Sequence, residues 1–270
     1  NTTPGIRFGA EESKNTAEEV TKKLGKKILF VTDPWLVKLG LIDDTLSALK
    51  SNSDVLVFDN VEADPSLKTL MKCVEIGSDF KATGVIGFGG GSSMDVAKLT
   101  ALLIGSNENI HEAWGVANAK GPRLPLVLYP TTSGTGSEVT PISIITQDDQ
   151  EKKGVSSPII LPDLAILDPL LTLGLPPHTT AATGIDAMVH AIESYASKGK
   201  NNNLISKSLA KEALNLIGSS ISIAVNDGQN IEARSNMLIG SMLAGVSFGN
   251  SPVAGVHALA YPIGGTFHVP

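Results

Sequence analysis

Short runs of apolar and β-branched residues alternate with segments of helical periodicity over the first half of the chain. The runs predict buried strands at residues 27–33, 54–58, 83–88 and 124–129. Apolar residues at helical spacing predict helices at residues 66–76, ended by Gly77, and 94–104. Strand–helix–strand alternation on this scale predicts a parallel sheet covered by helices, so the predicted fold class is α/β.

The pattern changes after Pro176-Pro177. Long Ala-, Leu- and Ile-rich segments with helical periodicity follow at residues 179–196, 204–217 and 231–248, and no strand pattern separates them. A double proline interrupts either kind of element, which favours a domain boundary there. We therefore predict an α/β domain at residues 1–176 and an all-helical domain at 177–270.

Composition and charge exclude several classes of protein. The chain has 270 residues, 42% of them hydrophobic, and a net charge of −6, with no cluster of Lys and Arg of the kind that phosphate backbones require. No apolar run reaches the ~20 residues that a bilayer span needs. Cys73 is the sole cysteine, which excludes an internal disulfide and a multi-thiolate zinc site. We expect a cytoplasmic protein that binds neither nucleic acid nor membrane.

A glycine-rich turn joins the predicted third strand to the following helix. Its sequence runs from Gly87 to Asp95 and includes Gly90, Gly91 and Ser92. Glycines allow close approach to a pyrophosphate, and the free N–H groups of the helix start hold the anion. The turn does not match the GxGxxG fingerprint. The alternative is a tight turn with no ligand.

Two further features follow predicted strands. Residues 130–138 are rich in hydroxyls and glycines and suit a phosphate or ribose pocket at the carboxyl end of a sheet; the alternative is a solvated loop capped by Ser137 or Thr135. Asp33 ends the first predicted strand. Its carboxylate is placed to accept hydrogen bonds from an adenosine ribose and to repel a 2′-phosphate. The alternative for Asp33 is a helix cap before Pro34.

A carboxylate and two imidazoles form the candidate metal site. Asp186 and His190 are four residues apart, on one face of a predicted helix, and His257 lies in a later apolar stretch. Such a ligand set suits Fe²⁺ or Zn²⁺. The alternative is a hydrogen-bonded Asp–His pair in a helical core. His111 and His178 lie in loop-like contexts and read as surface residues, whereas His268 is a weaker candidate for the same site.

Taken together, the chain resembles the iron-dependent (group III) alcohol dehydrogenases. The resemblance rests on four stretches in the family's order and spacing: Gly89–Asp95, Pro130–Glu138, Gly184–Tyr195 and Val256–Pro270. It implies a dehydroquinate-synthase-like fold, with a dinucleotide-binding domain at residues 1–176 and the start of a metal-binding domain at 177–270. It also implies a homodimer, an NAD cofactor with NADP as an alternative, a small alcohol, aldehyde or ketone substrate, and no catalytic side chain beyond the metal ligands.

The resemblance assigns roles to individual positions. Gly90, Gly91 and Ser92 would hold the pyrophosphate, with Asp95 in the same motif. On the nicotinamide side would lie Thr131, Thr132 and Thr135, and Lys153 would reach the ribose. Asp33 matches the acid of NAD-preferring members. Asp186, His190 and His257 match three metal ligands.

Two departures from the family pattern bear on function. The family's fourth ligand is a histidine at what would be the position after Pro270, so we expect the chain to be a fragment of a longer protein, and the alternative is a defective metal site. Tyr261 stands where some members carry a histidine near the substrate. Two other functions stay open: a glycerol-dehydrogenase- or dehydroquinate-synthase-like enzyme, and a non-catalytic nucleotide-binding or assembly module.

Overall fold

The computed structural model describes residues 2–147, 151–252 and 254–260, in two compact units. The first unit consists of Thr3–Pro130 and Pro141–Asp168. The second contains Thr131–Thr140 and the described chain from Pro169 onward. The domain boundary at Pro176-Pro177 stays a prediction. His268 and Tyr261 lie outside the described residues.

The first unit is an α/β unit built on a parallel sheet. Its strands are β1 (Gly5–Phe8), β2 (Lys27–Val31), β3 (Asp54–Phe58), β4 (Gly84–Gly89), β5 (Gly115–Val116), β6 (Leu126–Pro130), β7 (Ile142–Thr146), β8 (Lys152–Ser156) and β9 (Leu164–Leu167). Its helices are α1 (Glu12–Asn15), α2 (Ala17–Leu24), α3 (Pro34–Lys38), α4 (Asp43–Lys50), α5 (Leu67–Phe80), α6 (Gly91–Ser106) and α7 (Ile110–Ala113).

Six of these strands form one all-parallel sheet in the order β1-β9-β6-β4-β2-β3. The chain moves from β2 outward to β3 and then returns to β4 on the other side of β2. The strand order therefore reverses between β2 and β4, and open α/β sheets bind ligands in the crevice at such a point. A smaller sheet, β5-β8-β7, has an antiparallel β7–β8 pair. The α/β fold with a parallel sheet is confirmed.

Apolar burial explains why these segments form the sheet. Every residue of β4 and β6 is buried, as expected for strands covered by helices on both faces. Phe30, Phe88 and Tyr129 form a row of rings across β2, β4 and β6, with centroids 5.3 and 5.6 Å apart. Helix α6 is buried over most of its length and packs against this sheet.

One predicted helix end was wrong. Helix α5 continues through Gly77 and stops at Phe80, where Lys81 adopts a left-handed conformation. Gly77 is a packing residue, because a Cβ there would lie 2.7 Å from Ile104 Cδ1 and 2.8 Å from Leu29 Cδ2. The missing side chain lets the helix approach the sheet closely.

The second unit is helical, as predicted. It contains α8 (Pro177–Ala196), α9 (Leu204–Asn226), α10 (Ile231–Asn250) and a turn of helix at residues 255–260. Small residues line the helix contacts, including Ala191, Ala210, Ala213 and Ala244. Among the described residues, no helix is both long enough and apolar enough to cross a membrane.

The segment 131–140 leaves the sheet after β6 and packs within the helical unit. A Cβ on Gly134 would come within 2.8 Å of Thr183 Cβ on α8. Gly136, at φ +59°, lies against Gly245 of α10, where an added Cβ at 245 would lie 2.9 Å from Gly136 Cα. Backbone thus meets backbone at this contact, and glycine is required on both sides.

Candidate functional site

The structure brings Asp186, His190 and His257 together. Their candidate ligand atoms all lie within 4.8 Å of one another. Asp186 Oδ2 is 3.9 Å from His190 Nδ1, and Asp186 Oδ1 is 3.6 Å from His257 Nε2. The two histidines are buried, whereas the Asp186 side chain is 39% exposed. The cluster therefore has buried imidazoles and a carboxylate open to solvent.

His190 is held between two rings. Its imidazole stacks on Phe248 at 4.3 Å and on His257 at 4.4 Å between ring centroids. Burial lowers the pKa of His190, and the charge of Asp186 and a hydrogen bond with the Gly134 backbone only partly oppose this effect. Among the described residues, its buried Nδ1 has no hydrogen-bond partner, which is costly unless a bound group satisfies that nitrogen.

His257 is placed between two carboxylates. The Asp186 carboxylate raises the pKa of His257, burial opposes this, and the hydrogen bond with Glu193 raises it further. The Glu193 contact is short, with 2.6 Å between His257 Nδ1 and Glu193 Oε2. One ring nitrogen thus faces Glu193 and the other faces Asp186.

Glu193 is the residue that the sequence reasoning missed. Its side chain is 7% exposed and lies in the last turn of α8. Although burial opposes it, hydrogen bonds from His257 and from the backbone N–H groups of Ala254 and Val256 lower the pKa of Glu193 to about 2. The signal was present in the sequence, because Asp186, His190 and Glu193 follow i, i+4, i+7 spacing on one helix face.

These residues fit a divalent metal. One carboxylate and two imidazoles are the donor set of many iron sites and of catalytic zinc sites. The unpartnered Nδ1 of His190, buried beside Asp186, is a nitrogen that a metal would satisfy. No thiolate competes, because Cys73 is buried in the core of the α/β unit. Asp186, His190 and His257 would hold the metal.

Both histidines that were predicted to lie on the surface are exposed. His178 lies in the first turn of α8 and His111 in the short helix α7, so neither sits in a loop as expected from its sequence context. His178 shares a helix with His190 but is solvated, which makes it a natural control residue.

The glycine-rich turn opens directly into α6. Gly90 is the N-cap of the helix and provides no side-chain cap, while Gly91 and Ser92 form its first turn and are partly exposed. The N–H groups of this turn point away from the helix without a side-chain acceptor, which is the arrangement that binds anions. Gly89, at φ +149°, is required because a Cβ would lie 2.7 Å from Ser93 Oγ.

Asp33 lies just beyond β2, on the other side of the point where the strand order reverses. Its Oδ1 accepts hydrogen bonds from the N–H groups of Trp35 and Leu36, so the predicted alternative, a cap of α3, is confirmed. Leu36 Cδ1 lies 3.4 Å from the Cβ position at Gly89. The segments that follow β2 and β4 therefore pack side by side, and the cap does not preclude the ribose role.

The remaining predicted cofactor residues fall in different surroundings. Asp95 Oδ2 accepts a hydrogen bond from Ile144 N of β7, and Asp95 lies 3.8 Å from buried Lys98 Nζ. Lys153 lies in β8, 3.6 Å from Glu151. In the segment 131–140, Thr131 is buried and two threonines, Thr132 and Thr135, are partly exposed. Their cofactor roles stay predictions.

Comparison with known proteins identifies the family. The profile "Iron-containing alcohol dehydrogenase" matches residues 3–169, and the profile "Fe-containing alcohol dehydrogenase family, C-terminal" matches residues 180–270. The chain belongs to the iron-containing alcohol dehydrogenase family. The family that the sequence resembles is thereby confirmed.

Relatives in this family have different names. The chain is 47% identical to long-chain-alcohol dehydrogenase 1 of Geobacillus thermodenitrificans over 253 residues, covering 92% of this chain and 63% of that protein. It superposes on the alcohol dehydrogenase of Oenococcus oeni with a TM-score of 0.95 at 34% identity, covering 100% of this chain and 71% of the other.

A third relative carries a nucleotide. The sulfoacetaldehyde reductase of Bifidobacterium kashiwanohense, solved in complex with NAD⁺, superposes with a TM-score of 0.91 at 31% identity, covering 100% of this chain and 72% of that one. The chain thus spans 63% to 72% of the length of these iron-containing alcohol dehydrogenase relatives.

Proposed function

We propose that the protein is a metal-dependent, NAD-linked alcohol dehydrogenase that interconverts a small alcohol and its aldehyde or ketone. The observation that carries the proposal is the cluster of Asp186, His190 and His257, in which the buried His190 Nδ1 has no hydrogen-bond partner from the described part of the chain. The family membership and the uncapped start of α6 support it.

The proposed reaction is a reversible hydride transfer. The alcohol carbon gives a hydride to C4 of the nicotinamide, its hydroxyl proton passes to water, and the carbonyl double bond forms; the reverse reaction reduces the carbonyl. A bound divalent cation supplies Lewis-acid chemistry, which polarises the oxygen of the alcohol or carbonyl. No side chain in the described part of the chain is assigned a role in proton transfer.

The protein's own contribution is to bind and orient. Stacking between Phe248 and His257 fixes the ring plane of His190, and Glu193 fixes that of His257. In the α/β unit, Gly90, Gly91 and Ser92 present N–H groups to the cofactor pyrophosphate. The Asp33 carboxylate accepts from the adenosine ribose and disfavours the 2′-phosphate of NADP, so NAD is the proposed cofactor.

Substrate, assembly and compartment extend this proposal. The names of the relatives include long-chain alcohol and sulfoacetaldehyde activities, and a further relative, from Citrobacter freundii, is a 1,3-propanediol dehydrogenase. A panel of such alcohols and aldehydes, with glycerol, is therefore the assay for substrate. We propose a homodimer on the family resemblance, and a cytoplasmic location, with which a single buried cysteine is compatible.

The test measures metal binding before activity. The metal-depleted protein is titrated with Fe²⁺ under anaerobic conditions and with Zn²⁺, and NADH formation from the alcohol panel is then followed with and without chelator. Asp186→Asn and His190→Gln should each lower metal affinity at least about tenfold, because each removes one ligand from a three-ligand set. NADH formation should fall with metal occupancy.

The matched control is His178→Gln, the same substitution at an exposed position of the same helix. It should leave metal affinity and NADH formation unchanged. A wild-type protein that binds neither metal, or activity that persists in excess chelator, would refute the proposal.

A further inference from the structure

Glu193 lies in an environment that is unfavourable for a carboxylate. It lies in the last turn of α8, where the helix dipole disfavours negative charge, and its side chain is only 7% exposed. Burying an ionised carboxylate is costly unless hydrogen bonds compensate. Its location is therefore explained only by what its two oxygens contact.

Three groups donate to those oxygens. Val256 N lies 2.6 Å from Oε1, Ala254 N lies 3.0 Å from Oε2, and His257 Nδ1 lies 2.6 Å from Oε2. The two backbone donors precede or begin the helical turn at residues 255–260. Glu193 thus fixes both the backbone and the ring of the segment that carries His257.

The hydrogen bond to His257 determines how that ring can act. With its proton on Nδ1 and donated to Glu193, the imidazole would present the lone pair of Nε2 to a cation on the side of Asp186, whose Oδ1 lies 3.6 Å from Nε2. A carboxylate that accepts a hydrogen bond from the ring nitrogen away from the metal orients a ligating histidine and raises its basicity. The Asp186 side chain, by contrast, faces both histidines and is a direct ligand candidate.

We propose that Glu193 is a positioning residue for the metal centre, which acts through His257 by holding the tautomer and ring orientation that present Nε2 to the cation. This inference rests on the metal site of the proposed function. It assigns Glu193 no direct contact with metal, substrate or cofactor.

The experiment compares the metal-binding properties of wild type, Glu193→Gln and Glu193→Asp. Glu193→Gln keeps the size of the side chain but lacks the charge and one acceptor oxygen. Glu193→Asp keeps the charge but shortens the side chain by one methylene, so that the carboxylate lies farther from His257. Glu212→Gln, an exposed glutamate on α9, is the matched control. For each protein, competition with a chelator gives Zn²⁺ affinity, Co²⁺ substitution gives the visible ligand-field spectrum, and circular dichroism gives the thermal midpoint without metal.

Both Glu193 variants should bind Zn²⁺ about 10–100-fold more weakly than wild type, with altered Co²⁺ bands. Glu212→Gln should match wild type in both measurements. If either variant fails to fold, the other decides the question.

Three outcomes separate the explanations. Unchanged affinity and Co²⁺ bands in the Glu193 variants, whether or not the metal-free midpoint falls, would overturn the inference and leave Glu193 as a helix cap only. Weaker binding with altered bands in folded variants supports it. A wild-type protein that binds neither Zn²⁺ nor Co²⁺ would refute the proposed metal site itself, which is a distinct result.

Discussion

The contact between Gly245 and Gly136 allows a quantitative prediction, because two glycines of the helical unit can be compared by the same substitution. In Gly245→Ala, the new Cβ would lie 2.8 Å from Val139 Cγ2, 2.9 Å from Gly136 Cα and 3.0 Å from Gly136 O. Two of these atoms are backbone and cannot rotate away. In Gly218→Ala, on exposed α9 surface, nothing lies within 4 Å of the new Cβ.

Both substitutions gain the same helix propensity, about 1 kcal/mol from replacing glycine by alanine within a helix. Only Gly245→Ala adds an overpacking cost, which is about 3 kcal/mol when the opposing surface cannot yield. Gly245→Ala should therefore lower the free energy of unfolding by about 2 kcal/mol, whereas Gly218→Ala should raise it by about 1 kcal/mol. At roughly 2–4 °C per kcal/mol, the two thermal midpoints should move in opposite directions.

The assay is urea unfolding followed by far-ultraviolet circular dichroism, together with the thermal midpoint of each variant. A second readout is metal affinity, because the segment 131–140 carries Gly134, whose backbone pairs with His190. Gly245→Ala should weaken metal binding and Gly218→Ala should not. Equal stabilisation by both variants would show that the segment yields at no cost, and the reasoning from backbone contact would then be wrong.

Three further predictions follow from the α/β unit. Asp33→Asn keeps the cap of α3, since Asn caps as well as Asp, but it removes a charge that repels a phosphate by about 1 kcal/mol per unit charge at 4 Å in water. The preference for NAD⁺ over NADP⁺ should therefore fall about tenfold. An unchanged ratio of the two dissociation constants would contradict the ribose role. Burial raises the pKa of Cys73 to about 12, so its thiol should resist alkylation until the protein unfolds, and rapid labelling of native protein would disprove this. Lys98→Met should lower the free energy of unfolding in urea by about 3 kcal/mol, because it removes the buried ammonium that contacts Ile142 O and Asp95. If the ion pair matters, the double variant Asp95→Asn/Lys98→Met should lose less stability than Lys98→Met alone.

Two of the strands that the hydrophobic pattern did not reveal are defined by their partners. Lys152–Ser156 carries two lysines and a glycine, and it becomes strand β8 only because β7 and β5 pair with it. Gly5–Phe8 is a partly exposed edge strand whose pairing with β9 joins segments far apart in sequence. The central strands β2, β4 and β6 are buried on both faces, so their apolar runs were sufficient to predict them.

The candidate site divides in the same way. Helical spacing placed Asp186 and His190 on one face, because that relation is local. The position of His257, 67 residues beyond His190, depends on tertiary packing; the sequence offered it only as a second imidazole in an apolar stretch, and the family resemblance then matched it to a ligand position. Gly77 shows the opposite error, since a residue typical of helix ends serves here as a contact between a helix and its neighbours.

The arrangement of α8 explains how one helix could organise most of the proposed metal centre. Asp186, His190 and Glu193 share one face of α8, which sets the spacing of two candidate ligands and of the carboxylate that contacts His257. The remaining freedom lies in the segment that carries His257, and Glu193 removes it with two backbone hydrogen bonds and one to the ring. The same carboxylate thus contacts both the backbone of this segment and the ring of His257, which offsets the cost of burying a charge at the C-terminal end of α8.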